Sequence, residues 1–119
     1  MLRKDHKLEK EWQQLLSKLE NRIGKKPGDL NGVLFLIGLQ ELGKGPRSFS
    51  KEQKQDVIHI AICKVLSLSG FYVLEGHDEE GWPHWRLSGK VPALDFLEQE
   101  KLLKMHVLEY FSTEIFPSH

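Results

Sequence analysis

Cysteine is nearly absent from this sequence, with Cys63 the only one among its 119 residues. A single thiol cannot form an intrachain disulfide, which excludes the small secreted folds that disulfides hold together. Long apolar runs are also missing, because the longest, at residues 33–39, has seven residues where a transmembrane helix needs about 20. The first ten residues are largely charged where a secretory signal would be apolar. We therefore expect a soluble, cytoplasmic protein without a membrane segment.

An excess of either charge is missing too, since 17 Lys and Arg balance 17 Asp and Glu. This balance argues against nucleic acid as a partner, because nucleic-acid-binding domains usually carry excess positive charge. The charges are separated along the chain: residues 1–26 hold eight basic and four acidic side chains, and residues 71–119 hold four basic and nine acidic. The two regions could attract each other within one molecule or across a dimer, or could be ordinary solvated faces.

The chain has the length and composition of one globular domain that spans residues 1–119. Apolar residues make up 39% of it, which at this size suffices for a core without metals or disulfides. An amphipathic stripe predicts a first helix over residues 5–23, formed by Leu8, Trp12, Leu15, Leu16, Leu19 and Ile23. A second helix is predicted to follow it, with Asp29 or Asn31 as its N-cap, and to end at Leu42 before Gly43.

The third predicted helix, residues 51–69, is apolar on nearly every face, which indicates that its neighbours cover it on all sides. Ser50 and Gln53 form a capping-box pattern at its start. Residues 71–75 and 82–87 are then two extended runs around a polar, glycine-bearing tip, which is typical of a β-hairpin. Pro92 favours a fourth helix over residues 93–111. The predicted fold is mostly α (α+β), with about four helices and one β-hairpin between the third and the fourth.

One segment matches a nucleotide-binding motif by chance. Residues 38–44 read G-x-x-x-x-G-K, but Gly45 stands where a phosphate-binding loop needs Ser or Thr. Such a loop also lies between a strand and a helix, whereas these residues lie at the end of a predicted helix. We therefore interpret Gly43 as a helix cap and discard nucleotide hydrolysis.

Asp56, His59 and Cys63 are the strongest candidates for metal or catalytic chemistry, because their spacing places them on one face of the third helix. With His84 from the hairpin, His59 and Cys63 would supply three metal ligands, whereas a closed zinc site needs four. Cys63 and His59 could also form a nucleophile and its base. The favoured interpretation is a core cysteine beside a hydrogen-bonded histidine, with no catalytic residue, no metal and no cofactor.

The segment around Trp82 is the strongest candidate for binding. In an extended strand Trp82, His84 and Arg86 point to one side, and Trp85 and Leu87 point to the other. Tryptophan and arginine are common in binding hot spots, so the first three residues are predicted to contact a partner or ligand. The alternative is that Trp82 packs over the rim of the core.

The order of the predicted elements resembles that of winged-helix domains over residues 29–88, with the hairpin in the place of the wing. The resemblance implies a regulator that binds nucleic acid. However, the third helix is apolar, and residues 78–80 at the hairpin tip are acidic where phosphate contacts would lie. We interpret these three residues as a solvated, solubilising tip. Residues 30–43 and 81–85 are similar to segments of small bacterial proteins with no assigned activity.

The sequence thus favours a small non-enzymatic interaction or adaptor domain, whose partner is an unidentified protein or a second copy of the chain. The first alternative is a winged-helix-like regulator that binds nucleic acid or a regulatory partner. The second alternative is a metal-dependent or Cys–His enzyme that uses Asp56, His59, Cys63 and His84.

Overall fold

A computed structural model describes residues 6–43, 48–89 and 92–116 of the chain. Its four α-helices are α1 (His6–Ile23), α2 (Leu30–Leu42), α3 (Lys51–Ser67) and α4 (Phe96–Tyr110). Strands β1 (Tyr72–His77) and β2 (Pro83–Leu87) form an antiparallel hairpin between α3 and α4, and a π-helical segment (Phe111–Ile115) continues α4. The predicted fold class is confirmed. Within these residues, no helix is both long enough and apolar enough to cross a membrane.

Capping groups in the sequence account for most of the helix ends. Asp29, one of the two candidates, caps α2 by accepting a hydrogen bond from Gly32 N at 2.9 Å. Gly43 ends α2 in the left-handed conformation, with φ of +65°, as predicted for a cap. The capping box of Ser50 and Gln53 begins α3, also as predicted.

The predicted bounds of α3 and α4 were partly wrong. α3 ends at Ser67, two residues before its predicted end, since the backbone then bonds three residues back instead of four. Pro92 favoured a fourth helix from residue 93, but α4 begins at Phe96. The reason is a second capping box, in which Asp95 accepts a hydrogen bond from Glu98 N at 2.8 Å.

The central helix is α3, which contacts α2, α4 and both strands. Its buried residues join those of the other helices in a principal core, which contains Trp12, Leu15, Leu16, Leu19, Val33, Leu34, Ile37, Ala61, Val65, Leu66, Val107, Tyr110 and Phe111. A second group of buried residues, which we call the α2–α3 cluster, consists of Leu42, Val57 and Ile60. Phe35, Leu39, Phe49 and Trp82 pack against this cluster.

A polar network attaches the C-terminal segment to the helices. Tyr110 donates a hydrogen bond to Glu41 Oε2 at 2.8 Å, while Lys64 Nζ lies 3.9 Å from Glu41 Oε1 and 3.1 Å from Glu114 Oε1. Burial, together with the carboxylate of Glu41, raises the pKa of Tyr110, so that the hydroxyl keeps its proton. The network therefore connects α2, α3, α4 and the π-helical segment.

Helix α1, from the basic first region of the chain, contacts α4, from the acidic last region. Lys104 Nζ of α4 lies 3.7 Å from Glu9 Oε2 of α1. Lys18 and Arg22 of α1 lie over the ring of Phe116, at 5.6 and 4.9 Å from its centroid. The ion pair joins a lysine of the acidic region to a glutamate of the basic region, and the other two contacts join cations to an aromatic ring. The attraction between the two net charges therefore stays a prediction.

Gly38 allows the backbone of α2 to pack directly against that of α3. A Cβ atom at this position would lie 2.5 Å from Val57 Cγ1 and closer still to the Val57 carbonyl oxygen. Atoms of α3 therefore occupy the space that any side chain would need. This close packing explains the first glycine of the chance motif at residues 38–44.

Replacing Gly38 by alanine should destabilise the fold, because α2 and α3 must move apart to admit the methyl group. We expect Gly38→Ala to lower the free energy of unfolding by about 1–3 kcal/mol, the range for overpacked cores. Gly32→Ala is the matched control in α2, since its Cβ would meet only ordinary contacts at 3.5 and 3.7 Å. The control should be neutral or stabilising by about 0.5–1 kcal/mol. Urea denaturation measures both variants, and equal midpoints would contradict this role of Gly38.

Candidate functional site

The two strands of the hairpin pair in an irregular register. β1 and β2 pair with a β-bulge between Leu74 and Gly76. Glu75 lies in the bulge, and its Oε2 is 3.3 Å from Arg86 Nε. His84 and Arg86 lie two residues apart on β2 and so point to the same side, and their side chains are 62% and 55% exposed. The structure thus exposes these two predicted binding residues, and it gives Arg86 an intramolecular partner.

Asp78 organises the tip of the hairpin. Its Oδ1 accepts hydrogen bonds from the backbone N–H groups of Glu80 and Trp82, each at 2.9 Å, and its Oδ2 lies 3.1 Å from His84 Nε2. Gly81, with φ of +87°, completes the turn by donating its N–H to the Asp78 carbonyl oxygen. The hydrogen bond from Trp82, followed by that from His84, lowers the pKa of Asp78.

This role of Asp78 corrects the interpretation of residues 78–80 as a merely solvated tip. The sequence did contain the signal, because Asp at the first position and Gly at the fourth are typical of a tight β-turn. The turn also explains why β1 continues to His77, two residues beyond its predicted end.

Trp82 lies in the turn just before β2, which begins at Pro83. Its indole is half-buried and packs against the α2–α3 cluster. The sequence placed Trp82 in one exposed row with His84 and Arg86 because side chains alternate along a strand. Trp82 lies outside β2, so this alternation does not apply to it and it does not belong to the row. The structure shows the packing contact of Trp82, while its contact with a partner stays a prediction.

The hairpin tip and the first half of α3 border an open cleft of about 390 Å³, which we call the α3–hairpin cleft. Asp56, His59 and Ile60 line it from α3, and Asp78, Glu80, Trp82 and His84 line it from the hairpin. Of the described residues that line the cleft, three are acidic and none is Lys or Arg. The cleft therefore combines negative charge with an aromatic side chain.

Cys63 belongs to the core. It is fully buried, and its Sγ lies 3.5 Å from His59 Nε2, so the predicted pairing with His59 is present. Burial raises the pKa of the Cys63 thiol from 9.0 to about 11, which keeps it protonated at neutral pH. Because the thiolate is the reactive form, this environment opposes a role of Cys63 as a nucleophile.

The alternative metal set of His59, Cys63 and His84 is divided between two environments. His59 and His84 both line the α3–hairpin cleft, whereas Cys63 lies in the core. Across residues 6–43, 48–89 and 92–116, no group of three or more His, Cys, Asp or Glu side chains is arranged to hold a metal ion.

Comparisons with known proteins assign neither a family nor a function to this site. No family model matches the chain, and neither a curated protein nor a solved structure matches it significantly. The resemblances to winged-helix domains and to small bacterial proteins therefore stay predictions. The functional interpretation rests on the cleft and its residues.

Cys63 should react slowly with alkylating reagents in the folded protein. At pH 8 the deprotonated fraction of a thiol with a pKa of about 11 is about a hundredfold smaller than that of a thiol with a pKa of 9.0. We expect the alkylation rate with iodoacetamide to be at least about a hundredfold lower in the native protein than in urea. Mass spectrometry of the intact chain measures both rates, and equal rates would contradict the buried, protonated thiol.

The hydrogen bonds to Asp78 should make the hairpin tip sensitive to acid. Its folded pKa is lowered, so the carboxylate contributes stability that is fully present above the ordinary value of 3.8 and is lost as the pH falls through the lowered value. In NMR spectra, the amide protons of Glu80 and Trp82 should therefore titrate together with a midpoint below 3.8. Asp78→Ala should abolish this titration, and a wild-type midpoint at or above 3.8 would argue against the hydrogen bonds.

Proposed function

We propose that the protein is a non-enzymatic interaction domain that binds a lysine or arginine side chain of a protein partner in the α3–hairpin cleft. One observation carries the proposal: Trp82 lines the same cleft as three acidic residues, Asp56, Asp78 and Glu80. Carboxylates attract a cation, and the face of an indole ring binds one through a cation–π interaction. Trp82 and His84 thus keep the binding role that the sequence predicts for them.

The ordering of the cleft residues supports the proposal. Trp82 is packed against the α2–α3 cluster, and the hydrogen bonds of Asp78 hold the turn that carries Trp82 and Glu80. Groups that are already ordered lose little conformational entropy when a ligand binds. An exposed ion pair contributes about 0–1 kcal/mol and a cation–π contact about 0.5–2 kcal/mol. Because these two contributions sum to about 0.5–3 kcal/mol, a single cationic side chain should bind with a Kd of about 10 mM or weaker, and other contacts of the partner would add to this.

The same charges disfavour the alternative functions. An acidic cleft beside an acidic hairpin tip repels phosphate groups, so no observation favours a winged-helix-like regulator that binds nucleic acid. The protonated thiol of Cys63 gives no support to a Cys–His enzyme. A second copy of the chain, whose residues 1–26 are rich in Lys and Arg, is the competing occupant of the cleft. A cytoplasmic location is part of this proposal.

An N-acetylated tetralysine amide should bind to the cleft and shift the indole N–H signal of Trp82 in NMR titrations at low salt. Asp56→Asn combined with Glu80→Gln should weaken this binding about tenfold, because two carboxylates that attract the cation are removed. The matched control is Glu52→Gln combined with Glu79→Gln. It removes the same charge from the same two elements, and its exposed side chains are not among those that line the cleft. The control should bind like the parent protein.

Three results would count against the proposal. Equal weakening in both double variants would show that net charge, and not the cleft, attracts the peptide. The absence of a saturable shift at peptide concentrations well above about 10 mM would remove the proposed binding altogether. Self-association that the cleft variant alone abolishes would identify a second copy of the chain as the occupant in place of another protein.

A further inference from the structure

Ser69 and His106 form a hydrogen-bonded pair at the other end of α3 from the α3–hairpin cleft. Ser69 follows α3, and its Oγ lies 2.7 Å from Nε2 of His106 on α4. On the other side of the ring, His106 Nδ1 lies 2.8 Å from the carbonyl oxygen of Leu102. A carbonyl oxygen can only accept a hydrogen bond, so in the neutral ring Nδ1 carries the proton. Ser69 therefore donates its hydroxyl proton to the basic nitrogen, Nε2.

This arrangement is the one that activates a serine as a nucleophile, because a base lies within hydrogen-bond distance and a third group orients the base. His106 is only 7% exposed, and its ring lies 6.4 Å from the ring of Phe71, so packing holds its orientation. Ser69, in contrast, is exposed to solvent. An external reagent can thus approach Ser69, while packing holds the base beside it.

Among the described residues, three other serines also donate a hydrogen bond, but none of them donates it to a histidine. Ser67, Ser88 and Ser112 each donate to a backbone carbonyl oxygen. A carbonyl oxygen is far too weak a base to take the hydroxyl proton during a reaction, whereas an imidazole nitrogen takes it readily. Ser112 is exposed like Ser69, so it serves as an internal reference for an unactivated hydroxyl.

We propose that Ser69 accepts an acyl group from an activated ester or thioester, with His106 as its general base. Ser69 Oγ attacks the carbonyl carbon of the donor and forms a C–O bond, while the hydroxyl proton moves to His106 Nε2. The bond from that carbon to the leaving oxygen or sulfur then breaks, and the leaving group departs with the electron pair. The product is an ester of Ser69.

The surrounding backbone limits the class of donor. The N–H groups of Ser69, Gly70 and Phe71 already donate to carbonyl oxygens of the preceding turn. They are not available to stabilise the oxyanion that forms during acyl transfer. The donor must therefore have a good leaving group of its own, such as a phenolate or a thiolate.

Acetylation by p-nitrophenyl acetate tests this proposal on the full chain, with peptide mass spectrometry to measure the rate at each serine. We expect Ser69 to be acetylated about a hundredfold faster than Ser112, the usual gain from a positioned general base. His106→Gln should reduce the rate at Ser69 to that at Ser112. Ser112→Ala, the matched control, should leave the rate at Ser69 unchanged.

Two outcomes would overturn the proposal. The first is an equal rate of acetylation at Ser69 and Ser112 in the wild-type protein, a comparison that requires no variant to fold. The second is an unchanged rate at Ser69 in a His106→Gln variant that melts cooperatively. Either result would show that the hydrogen bond between Ser69 and His106 only connects α3 to α4. The result is independent of the proposed cation binding, since neither residue lines the α3–hairpin cleft.

Discussion

The direct contact between Gly38 and Val57 is the constraint on which the rest of the structure depends. It brings the backbone of α2 against both the backbone and the side chain of Val57 on α3, so the distance between these helices has little freedom. Val57 is also part of the α2–α3 cluster, against which Trp82 packs. The spacing of the two helices therefore decides where the indole rests, and with it the position of the hairpin tip beside α3.

The hairpin depends on its tip more than on its strands. Val73, Leu74 and Leu87 remain 42%, 44% and 56% exposed, and of the β1 residues only Tyr72 packs against the principal core. A two-stranded hairpin of this kind is marginally stable alone. Asp78 holds the turn through its hydrogen bonds, and Trp82 attaches the turn to the helices. The residues that stabilise the tip are thus the same residues that line the cleft.

Both proposed sites are attached to α3, the central helix, which contacts α2, α4 and both strands. Asp56 and His59 line the cleft near its beginning, whereas Ser69 follows its end and meets His106 of α4. A rigid central helix is a suitable support for functional groups, because packing limits their movement. Its middle, where Cys63 is fully buried, takes part in neither site.

The sequence by itself determined the helices, the hairpin and most of their ends, because these depend on residues within one or two turns of each other. The capping box at Ser50 and the left-handed Gly43 are of this kind. Prediction failed at the start of α4, where Pro92 and the capping box of Asp95 gave competing signals and the hydrogen-bonded cap prevailed.

Only the tertiary structure decided which of these residues meet and which are buried. Ser69 and His106 are 37 positions apart, and no local pattern indicates that two such residues share a hydrogen bond. The alternation of an extended strand placed Trp82 on an exposed row, but packing against the α2–α3 cluster overrode it. The reason is physical: periodicity reports the neighbours within one element, whereas the distances between elements follow from how their side chains pack.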